Sequence, residues 1–361
     1  MAALFLHIGA HKTGSTYIQQ RLTADADRLR RDHGIVYPTV GRELLWGHHN
    51  LCKIISGGGD LGELRKNLVA ETKSASTILL SSENFEGLNE KNIRRLISLF
   101  DPDSVKVLFF FRNWTPLLYS MWQEEIKHGE IILYHQYIES HLVFYFSSKL
   151  LNFELAVSEY ASVVGKDNVL LASYDNIIGT GDDLYAAVLK QLGIDGASWS
   201  FSPAAESSPV NASFDPYIVE AIRTMNAMAL QEGYKKSHWT KHYYVNTAMQ
   251  GEGRRRHNRL AGTMARYTVP TKDYSRSYGA KMFFQGFLDN HANHMIDNPA
   301  SRTTYVNKPV TKLASIVHQD YLLEPGVLED LRAAWIIVRR ELRRHPEFAC
   351  NARSSEDEQS G

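Results

Sequence analysis

The chain has 361 residues, 43% of them hydrophobic and 22% charged, with 40 basic and 40 acidic side chains. That balance suits a globular protein with a substantial core and excludes a generally basic nucleic-acid binder. Two cysteines, Cys52 and Cys350, are too few for a disulfide framework or a cysteine zinc site, so both read as ordinary thiols. The opening "MAALFLHIG" lacks a basic n-region and a cleavage site, and no run reaches the ~18 apolar residues of a membrane helix. A reducing cytoplasm is the expected setting.

Residues Ala3 to Ile8 form a short apolar run of buried-strand type. The next stretch, "GAHKTGST", has Gly9 and Gly14 at the spacing of a Walker phosphate loop. Its lysine is displaced: Ser15 stands where the Walker lysine belongs, Thr16 follows, and the lysine is Lys12, ahead of the second glycine. Ile18, Leu22, Ala26 and Leu29 then recur at helical spacing, which predicts a helix to about Arg31, ended by Gly34. Strand, glycine turn and helix are the setting in which backbone amides and a helix dipole hold an anion.

The alternation continues. "STILLSSE" predicts a strand ending near Glu83, and "NEKNIRRLISLF" a helix with Ile93, Leu96, Ile97 and Phe100 on one face. "SVKVLFFFR" predicts a strand ending at Arg112, and "WTPLLYSMWQEEIK" a helix with Pro116 in its first turn. "DNVLLASYD" and "DDLYAAVLKQLGI" repeat the pair. Strands alternating with helices predict a mainly parallel sheet covered on both faces. In such a sheet ligands bind at the carboxyl ends of the strands, where the Lys12 loop, Glu83 and Arg112 would meet.

From about Ala197 to Pro325 the pattern is less regular. A helix is expected from Asp215 to about Leu230. Between Lys235 and Arg259, Lys235, Lys236, Lys241, Arg254, Arg255, Arg256 and Arg259 stand against one acid, Glu252. This basic stretch is either a solvated loop or a flap and landing surface for an anion. Trp239, Tyr243 and Tyr244 suit either stacking on sugar rings or a core. A late helix is expected over about 325–344 with Leu328, Leu331, Trp335 and Val338 on one face, and the polar tail 346–361 reads as disordered. The whole is expected to be one domain over 1–345, with a nucleotide-binding core over about 1–200 and helical additions after it.

In a triphosphatase, the lysine and the hydroxyl after it manage the β/γ-phosphates and magnesium. Here no lysine directly precedes Ser15 or Thr16, and the strand-end acid is a glutamate followed by Asn84. Arg112, with its planar fork, and the hydroxyl of Ser120 on the next helix suit a second phosphate.

At these residues the chain resembles the sulfotransferases that use 3′-phosphoadenosine 5′-phosphosulfate (PAPS). "GAHKTGSTYIQ" is similar to their 5′-phosphosulfate loop, and "FFRNWTPLLYS" to their 3′-phosphate motif, an arginine at a strand end with a serine eight residues on. "GIVYP" and "LLSSENF" resemble segments of the bacterial branch, many of whose members act on glycans or glycolipids. The resemblance spans about residues 3–175 and implies a phosphate-loop α/β fold. It implies that Lys12 meets the sulfonate and the leaving phosphate, that Thr13, Gly14, Ser15 and Thr16 hold the 5′-phosphate, and that Arg112 and Ser120 hold the 3′-phosphate, with no metal required. Glu83 is the expected base, with His48 and His49 as runner-up bases or acceptor-binding groups; alternatively Glu83 caps the following segment. The acceptor pocket is expected from 38–60, 129–150 and 235–310. Two other functions remain open: a small-molecule kinase of the same architecture, and a nucleotide-binding module without chemistry.

Overall fold

A computed structural model describes residues 2–42, 46–58, 60–196, 199, 214–274, 278–297, 310 and 313–344. Cys350 and the tail 346–361, for which a thiol and disorder were expected, lie outside the described residues. The chain divides into two compact units. The first takes its described residues from Met1–Trp114, Phe144–Asn211 and Tyr274–Pro309; the second takes them from Thr115–Val143, Ala212–Asp273 and Val310–Gly361.

The first unit is built on five strands: β1 (Ala3–His7), β2 (Ile35–Val36), β3 (Thr77–Ser81), β4 (Ser104–Phe111) and β5 (Val169–Ser173). All pair in parallel, in the order β2-β3-β1-β4-β5, so the fold class is the expected α/β sheet flanked by helices. Strand β1 is central: Leu4 lies opposite Ile78 on one side and Val105 on the other. The apolar run "VLFFF" of β4 follows from burial on both faces. Leu108 and Phe110 join a core with Phe5, Ile18, Leu22 and Leu29. Phe109 and Phe111 instead pack on Phe153, and Phe111 also meets Phe287 edge-on. Each such ring taken from water contributes about 1.5–3 kcal/mol.

Two helices occupy the segment where one was expected. The first runs Ser15–Ala24 and the second Ala26–His33, with Asp25 between them. The cause is tertiary. Asp25 is 3% exposed and its carboxylate accepts the indole N–H of Trp199 at 2.9 Å. Gly34 ends the second helix in the left-handed region, as its position suggested.

The second unit is mainly helical, with helices Tyr134–Leu142, Pro216–Gln231, Trp239–Tyr243, Glu252–Ala265 and Val327–Leu342, and most of the helix Trp114–Lys127. A short antiparallel pair, β6 (Thr268–Pro270) with β7 (Ser315–Val317), joins them. Arg223 donates two hydrogen bonds to Glu220, at 2.8 and 2.7 Å, and Tyr321 donates a third to the same carboxylate at 3.2 Å. In the last helix Leu331, Trp335 and Val338 are buried as expected, but Leu328 is 45% exposed and Val327 takes the inward position. Much of the basic stretch is helical. Lys236 pairs with Glu130, Arg256 with Glu252 and Arg259 with Asp330. Tyr244 is core, bonded to His257 at 2.9 Å, while Trp239 and Tyr243 stack on each other.

Candidate active site

The site is built around the turn from β1 into the helix Ser15–Ala24. Two residues of the turn have positive φ, Lys12 at 62° and Gly14 at 84°. With Thr13 between them, this backbone path turns successive amides into one concavity at a helix N-terminus. Glycine is favoured at 14 by this φ, and a Cβ there would also press on Leu184, at 2.6 Å from its Cδ1. Lys12 is not a glycine, so its left-handed backbone costs roughly 1–2 kcal/mol. The loop is braced elsewhere. Arg112 Nη1 donates to the Lys12 carbonyl at 2.8 Å, and the Thr13 hydroxyl donates to the Ala10 carbonyl at 2.5 Å. The Ala10 amide in turn donates to the Phe110 carbonyl at 2.9 Å, tying the turn to β4.

Ser15 is 4% exposed, and its hydroxyl has no hydrogen-bond partner among the described residues. Beneath it His7, the last residue of β1, is fully buried; its Nδ1 lies 2.7 Å from Ser81 Oγ, while Nε2 has no partner there either. Burial lowers this imidazole's pKa to about 4, so it is neutral over the ordinary pH range, although the charge of Glu83 acts in the opposite direction.

Arg112 lies just past the end of β4. Its guanidinium covers the Tyr174 ring at 4.6 Å, and its Nε is 3.7 Å from Asp175 Oδ1. The other oxygen of Asp175 accepts the Asn113 amide at 2.5 Å. Burial pushes the Asp175 carboxyl upward against the lowering effect of Arg112. Sequence reasoning missed Asp175 and Tyr174; the signal for them was their place directly after β5. Ser120 is the seventh residue of the helix Trp114–Lys127, partly buried, and belongs to the second unit.

Glu83 stands two residues past β3 and opens a short turn, Glu83–Gly87, capped by the Ser82 hydroxyl on Asn84 N–H. Gln19 of the loop helix donates to Glu83 Oε2 at 3.0 Å, and His49 Nε2 lies 3.7 Å from the same oxygen. Ser82 Oγ lies 2.9 Å from His49 Nδ1. The two adjacent histidines therefore part company. His48 is fully buried, with Nε2 3.1 Å from the Pro38 carbonyl and Nδ1 against the Ser81 backbone; burial lowers its pKa to about 3. It fastens β3 to the preceding segment, and only His49 faces Glu83. Glu86, missed in the sequence, lies on the same turn 3.4 Å from His11 of the loop. Burial, then the charge of Glu83, pushes its carboxyl well above the usual range.

The arrangement joins an amide-lined anion cradle, a cation on the loop and a carboxylate at the neighbouring strand end. Among the described residues, no group of three or more His, Cys, Asp or Glu side chains is placed to hold a metal ion. No helix is long and apolar enough to cross a membrane, among the residues described.

No protein-family model matches the sequence, and none of the curated proteins matches it. Solved structures do match. A sulfotransferase from Alicyclobacillus acidocaldarius is 14% identical over 63% of this chain and 94% of that one, with a TM-score of 0.37. The sulfotransferase domain from the curacin biosynthetic pathway is 10% identical over 59% and 78%, at 0.34. The sulfotransferase domain of the Synechococcus PCC 7002 olefin synthase is 11% identical over 64% and 94%, at 0.30. At that distance the likeness assigns no residue a role.

Proposed function

We propose that this protein transfers a sulfonate group from PAPS to a hydroxyl or amine acceptor, a glycan or glycolipid by preference. The observation that carries the reading is the loop itself. A left-handed Lys12 stands ahead of Gly14, and the cradle ends in a buried Ser15 hydroxyl with no partner among the described residues. A buried hydroxyl left in that state costs about 1–3 kcal/mol, and a phosphate oxygen at the helix N-terminus would satisfy it.

Thr13, Gly14, Ser15 and Thr16 would hold the 5′-phosphate, and Arg112 the 3′-phosphate. Glu83 would take the acceptor's proton as the acceptor atom bonds to sulfur. The bond from sulfur to the phosphate oxygen breaks, and Lys12 would meet the charge that grows on that oxygen. Gln19 and His49 fix the Glu83 carboxylate, which suits a base that must point one way. His49 is the acceptor-side histidine in this reading, and His48 a structural one.

The test is direct. Purified protein is incubated with PAPS labelled in the sulfonate and a panel of glycans, glycolipids and phenols. Label transferred to an acceptor supports the reading. Phosphoryl transfer from ATP instead, with no response to PAPS, would establish the kinase alternative.

A further inference from the structure

We propose that His7 is a ligand-binding residue: its neutral imidazole donates through Nε2–H to an oxygen of the tetrahedral oxyanion held by the Lys12 loop. Three observations converge. His7 is fully buried, and its Nε2 has no partner among the described residues. Ser15 Oγ, also buried, is in the same condition. Both lie close to one point. A Cβ added to Gly9 would stand 3.1 Å from His7 Nε2, 3.2 Å from Thr13 Oγ1 and 3.5 Å from Ser15 Oγ. Three side-chain polar atoms thus converge on one point against the bare Cα of Gly9, at the start of an anion-binding turn. Of the three, Thr13 is engaged with the Ala10 carbonyl.

The direction of the hydrogen bonds follows. Ser81 Oγ lies 2.7 Å from His7 Nδ1. If Ser81 donates its hydroxyl proton there, the ring's one proton sits on Nε2, on the side of Gly9 and Ser15. The other tautomer would present a lone pair to an anion and be repelled. A bound oxyanion therefore selects Nε2–H, and the chain Ser81 to His7 to anion runs donor to acceptor throughout, each bond polarising the next. Burial keeps the imidazole neutral, so the donor adds no charge of its own. It holds the oxyanion without the countercharge that Lys12 supplies. His7 also packs edge-on against Phe110 at 5.4 Å, which fixes the plane of its ring.

The contact needs only an oxyanion in the loop; naming that oxyanion the 5′-phosphate rests on the sulfonate-transfer reading. The experiment separates the two. The imidazole nitrogens of ¹⁵N-labelled protein are followed by NMR during titration with inorganic phosphate, with adenosine 3′,5′-bisphosphate, and with adenosine 3′-phosphate, which lacks the 5′ group. The His7 Nε2 resonance is expected to shift with the first two and to stay still with the third. In parallel, His7→Leu is expected to weaken adenosine 3′,5′-bisphosphate at least about tenfold, the scale of one hydrogen bond to a charged group. It should leave adenosine 3′-phosphate unchanged, and His7→Gln, which keeps a terminal N–H, should restore part of the loss. If phosphate shifts Nε2 but the bisphosphate does not bind, the sulfonate reading fails and the His7 contact stands. An unmoved Nε2 under phosphate and bisphosphate overturns the proposal, as does an equal loss of both nucleotides in His7→Leu. Should His7→Leu not fold, the NMR titration of the unaltered protein still decides.

Discussion

At Lys12 the backbone and the side chain have separate jobs. The backbone is left-handed, which disfavours any residue with a Cβ, and the ammonium is proposed to meet charge on the leaving phosphate. Lys12→Ala and Lys12→Gly should therefore both lower kcat strongly while weakening PAPS only modestly. Lys12→Gly should melt at or above Lys12→Ala, since glycine accepts that φ without strain. Equal sulfonate transfer by either variant and by the unaltered protein would contradict the assignment. Glu83→Gln should leave PAPS affinity near its original value and cut kcat about 10²- to 10⁴-fold. If His49→Ala abolishes turnover and Glu83→Gln does not, the base is the histidine. Arg112 reads differently in three dimensions than in the sequence. Its bond to the Lys12 carbonyl braces the strained residue of the loop. Arg112→Ala is thus expected to raise the KM for PAPS about tenfold or more and to lower kcat as well. An unchanged kcat beside a raised KM would confine the arginine to a phosphate contact.

The loop works as an element because Gly14 lets the helix Ser15–Ala24 start against Leu184. Gly14→Ala places a Cβ 2.6 Å from Leu184 Cδ1 at a φ of 84°. It should cost more than about 1 kcal/mol of stability and remove the rise in Tm expected with adenosine 3′,5′-bisphosphate under the proposed function. A normal rise would show that the turn tolerates a side chain. Elements of this kind were legible where the signal was local. The run of β4 announces a strand buried on both faces, and Gly34 marks the end of its helix. The break at Asp25 was not legible, because its cause is an indole at Trp199, 174 residues away. Partners of the basic stretch were hidden for the same reason. Its sequence contains one acid, but Glu130 and Asp330, brought in by other helices, neutralise Lys236 and Arg259. At the site, the turn, Glu83 and Arg112 could be read from strand ends. The opposite fates of His48 and His49 could not, because they depend on which imidazole the Pro38 carbonyl meets.

For the molecule as a whole, acid is the informative stress. His7 and His48 are buried neutral, with pKa values lowered from 6.5 to about 4 and about 3. Below pH 6.5 the unfolded chain binds protons that the native one refuses. The stability these two residues protect is complete above pH 6.5 and is lost as pH falls toward 4, on the order of 3 kcal/mol each. Glu86 and Asp175, whose carboxyls are pushed up, act in the opposite sense. The comparison to make is Tm against pH for the unaltered protein and for His48→Gln: the fall between pH 6.5 and 4 should be shallower in the variant. Parallel curves would show that His48 does not carry it. The position of β1 has a consequence for synthesis. Its residues are made before those of β3 and β4, yet Leu4 must pair with both Ile78 and Val105. A nascent chain stalled before Ser104 has the whole loop in hand and no β4 to brace it; Ala10 has no Phe110 to donate to, and Lys12 no Arg112 to hold its carbonyl. The proposed nucleotide binding should therefore switch on abruptly, only once β4 clears the exit tunnel and slides in beside a strand made about a hundred residues earlier.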